Sequence, residues 1–276
     1  MLTVDVVITV DDADDPRVGD FRRLHDHEAR RDLEGDRYFV SEGWASIDRL
    51  IDSGHAFRSV LLSPSRVNRF LPFLQHSPLD GVPVFVAEHQ VMRDIVGFDL
   101  PRGVLVSAWR KPLAALEELA ASSNRLVVLE ALDDSESVGA IARAARAFDI
   151  DGMVLDPTCT DPYHRRTVRV SMGEILHMSV ARADRTEWPG ALDVLHAHGF
   201  ETWAMTPGDD ADQLWDLRIP DRVAILLGAE GAGSSSAVLA AASRRVRIPT
   251  GSTVHSLDVG HAAAIAFAAV SRTPRR

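Results

Sequence analysis

The chain has 276 residues, of which 46% are hydrophobic, 25% charged and 6% aromatic, a composition too apolar for a disordered chain and too charged for a membrane bundle. Thirty Lys and Arg against forty Asp and Glu give a net charge of −10, which excludes a uniformly cationic nucleic-acid binder and leaves binding through locally concentrated positive charge. The single cysteine, Cys159, excludes an internal disulfide framework and a multi-cysteine zinc centre, no apolar run reaches the roughly 20 residues that span a bilayer, and the N-terminal stretch lacks the features of a signal peptide, so a soluble, cytoplasmic protein is expected.

Residues 1–50 hold thirteen Asp and Glu against seven Arg, and 1–36 read as an acidic N-terminal extension with a charged helix over 21–33. A regular rhythm begins at Tyr38. A strand is predicted at 38–40, and Trp44, Ile47, Leu50 and Ile51 then recur at helical spacing. A strand at 60–62, a helix over 70–74, a strand at 82–86, a helix over 90–96 and a strand at 103–106 follow. This alternation predicts a small α/β domain over 37–108. The Ala/Leu/Glu-rich stretch within 109–123 reads as a helical linker.

A second α/β unit is predicted over 124–276. Its strands are expected at 126–130, 152–156, 201–205, 223–227 and 246–248, and its helices at 138–148, 191–198, 235–242 and 257–270. Such alternation predicts a mostly parallel sheet covered on both faces.

Open α/β sheets bind ligands at strand C-termini, and three such segments stand out. The first, 132–145, opens a helix that carries Arg143 and Arg146, which at a helix N-terminus would oppose the macrodipole. The second, 226–234, runs from a buried strand into three glycines around Glu230; its spacing fits neither a dinucleotide fingerprint nor a P-loop. The third, 247–264, passes from a strand through a polar loop into an almost wholly small, apolar helix that must be buried. Ser256 is its predicted N-cap. His255, Ser256 and Asp258 are too close in sequence for triad geometry, and no nucleophile elbow accompanies them. The pairs His25/His27 and His196/His198 lack a carboxylate at metal spacing, so no metal site is expected.

Residues 163–185 contain five arginines against Glu174 and Asp184. Arg165, Arg166 and Arg169 therefore form a candidate phosphate-contacting patch, with a solvated helix face as the alternative. Lys111 is the only lysine; arginine suits bidentate phosphate recognition, and a GC-rich coding sequence yields the same bias.

In their order and spacing, the three segments resemble the three motifs of the SpoU/TrmH family of the SPOUT methyltransferases, over about 122–272. Phe39-Val40-Ser41-Glu42-Gly43 and Arg102-Gly103-Val104-Leu105 resemble the small substrate-binding domain, related to ribosomal RNA-binding proteins, that often precedes it. The resemblance implies a C-terminal SPOUT-type parallel sheet with a deep trefoil knot, preceded by a small α/β/α domain. It also implies a homodimer, S-adenosylmethionine as cofactor, and ribose 2′-O-methylation of RNA, ribosomal RNA above all. On the family pattern Met205, Gly228, Glu230, Ile248 and Leu257 line the cofactor pocket, and Arg143, Glu230, Ser256 and Asp258 form the catalytic set. In-line transfer from a sulfonium needs alignment rather than a metal, and a ribose hydroxyl needs its proton removed or its lone pair positioned. Arg143 could serve as base or as phosphate clamp. Ser137 and Asp258 stand where the family has asparagines, and Ser135 where it has proline. Two other readings therefore stand beside the main one: a non-catalytic RNA-binding relative, and a methyltransferase for a non-ribosomal substrate.

Overall fold

The computed structural model of the chain describes residues 7–75, 79, 81–186, 188–229, 231, 233–251 and 257–271. The chain forms two compact units, Met1–Lys111 with Tyr163–Leu176, and Pro112–Pro162 with His177–Arg276.

The first unit carries β1 (Val7–Thr9), β2 (Tyr38–Glu42), β3 (Phe57–Leu62), β4 (Val84–Val86) and β5 (Val104–Trp109) in the order β1-β4-β3-β5-β2. β1, β4 and β3 run parallel, while β5 pairs antiparallel with β3 and β2. Its helices are α1 (His27–Glu34), α2 (Trp44–Asp52), α3 (Val67–Phe70) and α4 (His89–Val96). α2 buries Ser46, Ile47 and Leu50 on one face, as its apolar spacing requires. Pro72 falls inside the helix expected over 70–74, and the chain there passes from α3 into a tighter 3-10 helix, Leu71–Gln75.

The described part of the acidic start is built into this unit. β1 pairs with β4, and Val10, Val18, Phe21 and Leu24 are buried with Phe85, Met92 and Ile95, while Asp11, Asp12 and Asp14 are exposed. The helix expected over 21–33 is interrupted. A 3-10 helix, Pro16–Phe21, starts at a proline and is capped by Asp15, which accepts from the Arg17 N–H at 2.9 Å. Arg23 then adopts a φ of 51°, which a right-handed helix excludes, and α1 begins afterwards.

The helix Arg165–Val170 also belongs to this unit and packs on β2. Glu42, at the end of β2, is 5% exposed. A buried carboxylate needs a partner, and the Arg165 guanidinium supplies one by direct hydrogen bonding. Arg165 also lies 5.0 Å over the Phe98 ring. Burial pulls the Arg165 pKa below its ordinary value against the opposing pull of Glu42.

The second unit contains β6 (Arg125–Leu129), β7 (Gly152–Leu155), β8 (Ser179–Arg182), β9 (Glu201–Met205), β10 (Asp212–Gln213), β11 (Val223–Leu227) and β12 (Arg244–Arg247). They form an all-parallel sheet in the order β10-β12-β9-β11-β6-β7-β8. Its helices are α5 (Leu116–Ser122), α6 (Ser135–Ala147), α8 (Ala191–Ala197), α9 (Ser236–Ala241) and α10 (Val259–Val270), α7 being the Arg165–Val170 helix. α5, α8 and α9 contribute Leu119, Leu192, Leu195 and Val238 to a core with Leu126, Val128 and Leu226. The alternate strand residues Val127, Leu129 and Ile225 are equally buried, so the sheet is covered on both faces. α10 packs on α6 and β11. Its end is held by buried Arg125, which donates to the carbonyls of Val270 at 2.9 Å and Asp221 at 2.7 Å. Among the described residues no helix is long and apolar enough to cross a membrane.

Arg165→Ala leaves Glu42 buried and unpaired, so it is expected to destabilise the protein by about 3–5 kcal/mol. Arg166→Ala, at an exposed position, should change stability by no more than about 0.5 kcal/mol. Urea unfolding followed by circular dichroism measures both; equal losses would contradict this assignment.

Candidate cofactor and catalytic site

Three adjacent strands of the second unit end together. The last registered pairs are Leu226 with Ala204 between β11 and β9, and Met205 with Val246 between β9 and β12. Met205, Gly228 and Ile248 therefore sit at the C-terminal edge of neighbouring strands. All three are partly exposed, and Met205 and Gly228 directly follow buried strand residues.

Gly228 is required by packing. A Cβ there would collide with the backbone of Gly233 and Ser234, because the loop folds back on itself. The Gly233 N–H donates to the Ala229 carbonyl at 2.8 Å, and Gly231 and Gly233 adopt φ of 78° and 67°, where glycine carries no steric cost. Glu230, within this loop, lies outside the described residues, as do His255 and Ser256.

α6 begins three residues before its expected start. Asp134 caps it, accepting from the Ser137 N–H at 2.8 Å and the Ser137 hydroxyl at 2.7 Å. With the helix beginning at Ser135, Arg143 lies in its third turn and Arg146 in its last. The expected conflict with the macrodipole is thus absent, since a cation in the last turn is favoured. Arg143 is exposed and makes no hydrogen bond or ion pair among the described residues.

α10 begins at Val259, and its cap is Asp258 rather than Ser256. Asp258 Oδ1 accepts from the His261 N–H at 3.1 Å and bonds His261 Nδ1 at 2.8 Å. A carboxylate one residue before the helix meets the unpaired N–H groups of its first turn directly. Next to this cap, a Cβ on Gly260 would lie 3.5 Å from the Ala140 Cβ, so small residues bring α10 and α6 close. Arg143 follows Ala140 by three residues and shares its side of α6. Leu257, before the cap, is an apolar side chain left 37% exposed.

The loop after β7 completes this edge. Asp156, 3% exposed, accepts from the N–H groups of Thr158 at 2.8 Å and Cys159 at 2.7 Å. Arg182 donates to the carbonyls of Asp156, Cys159 and Thr160 at 3.0, 2.9 and 2.9 Å. Asp156 and Arg182 did not stand out in the sequence, and neither did Asp134 within the first segment; the readable signal for Asp156 was a carboxylate just beyond an apolar strand.

In the first unit, the Arg69 guanidinium lies 4.2 Å over the ring of partly exposed Trp44, with Phe73 stacked on that ring at 6.1 Å. A cleft of about 430 Å³, lined by Ser63, Arg66, Glu88, His89, Leu100 and Gly103 among others, opens at the C-terminal ends of β3 and β4. Of the expected basic patch, Arg165 is committed to Glu42, Arg166 is exposed and Arg169 is half-buried.

A sequence profile of the SpoU rRNA Methylase family matches residues 124–268. An uncharacterized tRNA/rRNA methyltransferase of Mycobacterium tuberculosis is 38% identical over 261 residues, covering 93% of this chain and 88% of that protein. The chain belongs to the SpoU rRNA methylase family. The 23S rRNA (guanosine(2553)-2′-O)-methyltransferase RlmP of Bacillus subtilis is 23% identical over 256 residues, covering 93% of this chain and 96% of that protein. The fold is shared with the crystal structure of an AdoMet-bound rRNA methyltransferase from Sinorhizobium meliloti, at a TM-score of 0.79 and 24% identity over 96% of this chain and 97% of that one.

Within this SpoU-family chain the two altered polar positions have structural explanations. Ser137 bonds the α6 cap, and Asp258 caps α10, a position at which Asp and Asn serve about equally. Cys159 has a structural place too. It is 6% exposed with its Sγ 3.3 Å from the Leu129 carbonyl, and burial together with the Asp156 charge pushes its thiol up to about 12. At pH 8 the thiolate is then on the order of one part in ten thousand. Iodoacetamide should label native Cys159 at least about a hundredfold more slowly than the urea-unfolded chain; equal rates would show that the 156–160 loop opens freely.

Proposed function

We propose that this protein transfers a methyl group from S-adenosylmethionine to a ribose 2′-hydroxyl of ribosomal RNA. The observation that carries this reading is the joint edge of β11, β9 and β12. There, the closed glycine loop at Gly228 shares one sheet edge with the partly exposed apolar Met205 and Ile248. Half-exposed apolar side chains around a side-chain-free backbone suit the adenosyl and methionyl parts of the cofactor. Met205, Gly228, Ile248 and Leu257 would hold it, with Glu230 assigned by family resemblance. When bound, the cofactor supplies a methyl on a sulfonium, which an aligned oxygen displaces.

Arg143 is exposed beside the α6–α10 contact, with its donors uncommitted among the described residues. A guanidinium donates and does not accept. We therefore assign Arg143 to holding the target phosphate and ribose in line, rather than to removing the proton. Asp258 acts by fixing the first turn of α10, and Ser256 remains a site residue on the family pattern.

Two features of the first unit suit RNA. The exposed Arg69 guanidinium, held over Trp44, offers a planar cation on which a single-stranded base can stack, and Arg166 adds exposed positive charge. A homodimer is supported by α10. Val259, Ala263, Ala266, Phe267 and Val270 are buried within the unit, whereas Ala264, Ile265 and Ala268 on its other side are partly or fully exposed, an apolar strip that a second copy would cover. The strand order supports the knot: β12 lies beyond β9, yet the chain returns as α10 against α6 and β11. Action on ribosomal RNA would put the protein in the cytoplasm.

Mapping 2′-O-methylation across ribosomal RNA, with and without the gene, tests this reading. At least one methylated ribose should disappear on deletion and return with the wild-type gene. Arg143→Ala and Arg143→Lys should both fail to restore it, while S-adenosylmethionine affinity stays within about twofold, because lysine lacks the planar fork. An unchanged map would contradict the ribosomal reading, in favour of another substrate or a non-catalytic relative.

A further inference from the structure

Glu130 follows β6 directly and is 7% exposed. Its backbone N–H donates to the Leu227 carbonyl at 2.9 Å, at the last residue of β11 before the glycine loop. Its carboxylate reaches the far end of the same loop. There it accepts from the Ser235 N–H at 2.8 Å and from the Ser235 hydroxyl at 2.6 Å. Ser235 is the cap of α9, its Oγ accepting from the Val238 N–H at 3.2 Å. The Trp188 indole N–H donates to the same carboxylate at 3.3 Å. One buried residue therefore ties both ends of the loop 228–234, and every partner of its carboxylate is a donor.

We propose that Glu130 is a positioning residue for cofactor binding, setting the opening of the glycine loop without touching the cofactor itself. The proposal rests on the reading that this loop holds S-adenosylmethionine. Glycine-rich backbone loses more conformational freedom on ordering than any other. A loop tied at both ends has lost much of that freedom before a ligand arrives, so binding costs less. Charge-assisted bonds to a buried carboxylate are strong enough for this task. Glutamine has the same shape but only one acceptor oxygen; with that oxygen kept on the Ser235 hydroxyl and the Trp188 indole, its NH2 group opposes the Ser235 N–H, donor against donor.

The test is calorimetric titration with S-adenosylmethionine of wild type, Glu130→Gln, Ser235→Ala and the double variant, with kinetics on ribosomal RNA. Glu130→Gln should weaken cofactor binding about tenfold, the effect of losing one charged hydrogen bond. KM for S-adenosylmethionine should rise by the same factor, while kcat at saturating cofactor and KM for RNA stay within about twofold. The double variant should bind no more weakly than the worse single one, since both break one tie. A role confined to folding would lower the melting temperature and leave the affinity of the folded protein unchanged. That result, or additive losses in the cycle, would overturn the proposal. If Glu130→Gln does not fold, the affinity of Ser235→Ala decides: unchanged binding overturns the proposal, and a several-fold loss supports it. Wild type that binds no S-adenosylmethionine would overturn the functional reading itself, a failure distinct from normal binding by the variants.

Discussion

At residue 228 the chain turns back so tightly that a side chain would occupy the space of the Gly233 and Ser234 backbone. This steric constraint organises the candidate site. It closes the loop after β11, and the all-parallel sheet places that loop beside the end of β9, with β12 the next strand beyond. The adjacent helices are fixed by the same economy of size. Gly260 and Ala140 let α10 approach α6, and Asp134 and Asp258 satisfy the first N–H groups of those helices. Loops that bind ligands are usually the less stable parts of a fold. Here the loops after β6, β7 and β11 are each anchored by a carboxylate: Asp134 at the α6 cap, Asp156 just beyond β7, and Glu130, which reaches across from the end of β6 to Ser235.

The arginines divide by what surrounds them. Arg125 and Arg182 donate to backbone carbonyls and bind the second unit together. Arg244, Arg245 and Arg247 pair with Asp212, Asp210 and Asp209, and Arg165 answers Glu42 in the first unit. Positive charge in these places is committed within the protein. Arg143 and Arg69 are different. The first has no hydrogen bond or ion pair among the described residues, and the second lies over an aromatic ring. In a chain of net charge −10, such exposed groups matter more for an anionic partner than the number of basic residues does.

Much of this architecture was legible in the amino-acid order. Strands Glu201–Met205 and Val223–Leu227 coincide with the expected ranges because their apolar runs end in polar or glycine residues. β8 and β10 were not legible: Ser179–Arg182 follows an arginine-rich stretch, and Asp212–Gln213 has no apolar residue. The acidic start concealed Val10, Val18, Phe21 and Leu24, whose irregular spacing fits neither period 2 nor 3.6 although all four are buried. At the site, glycine spacing identified the loop, and family resemblance assigned Arg143. Neither revealed that Arg165 is internal, because its partner Glu42 is 123 residues away in sequence. The caps needed the structure as well. A helix start misjudged by two or three residues moved the cap of α10 from Ser256 to Asp258 and put Arg143 on the wrong turn.

The central claim is that the closed glycine loop at the joint edge of β11, β9 and β12 binds S-adenosylmethionine. Calorimetric titration of the isolated protein, without RNA, tests it most directly when wild type and Gly228→Ala are measured side by side. The account predicts micromolar binding by wild type, and a loss of at least about tenfold in the variant, whose added methyl must force the loop open. Equal affinity in two folded proteins, or no heat of binding in wild type, would contradict it.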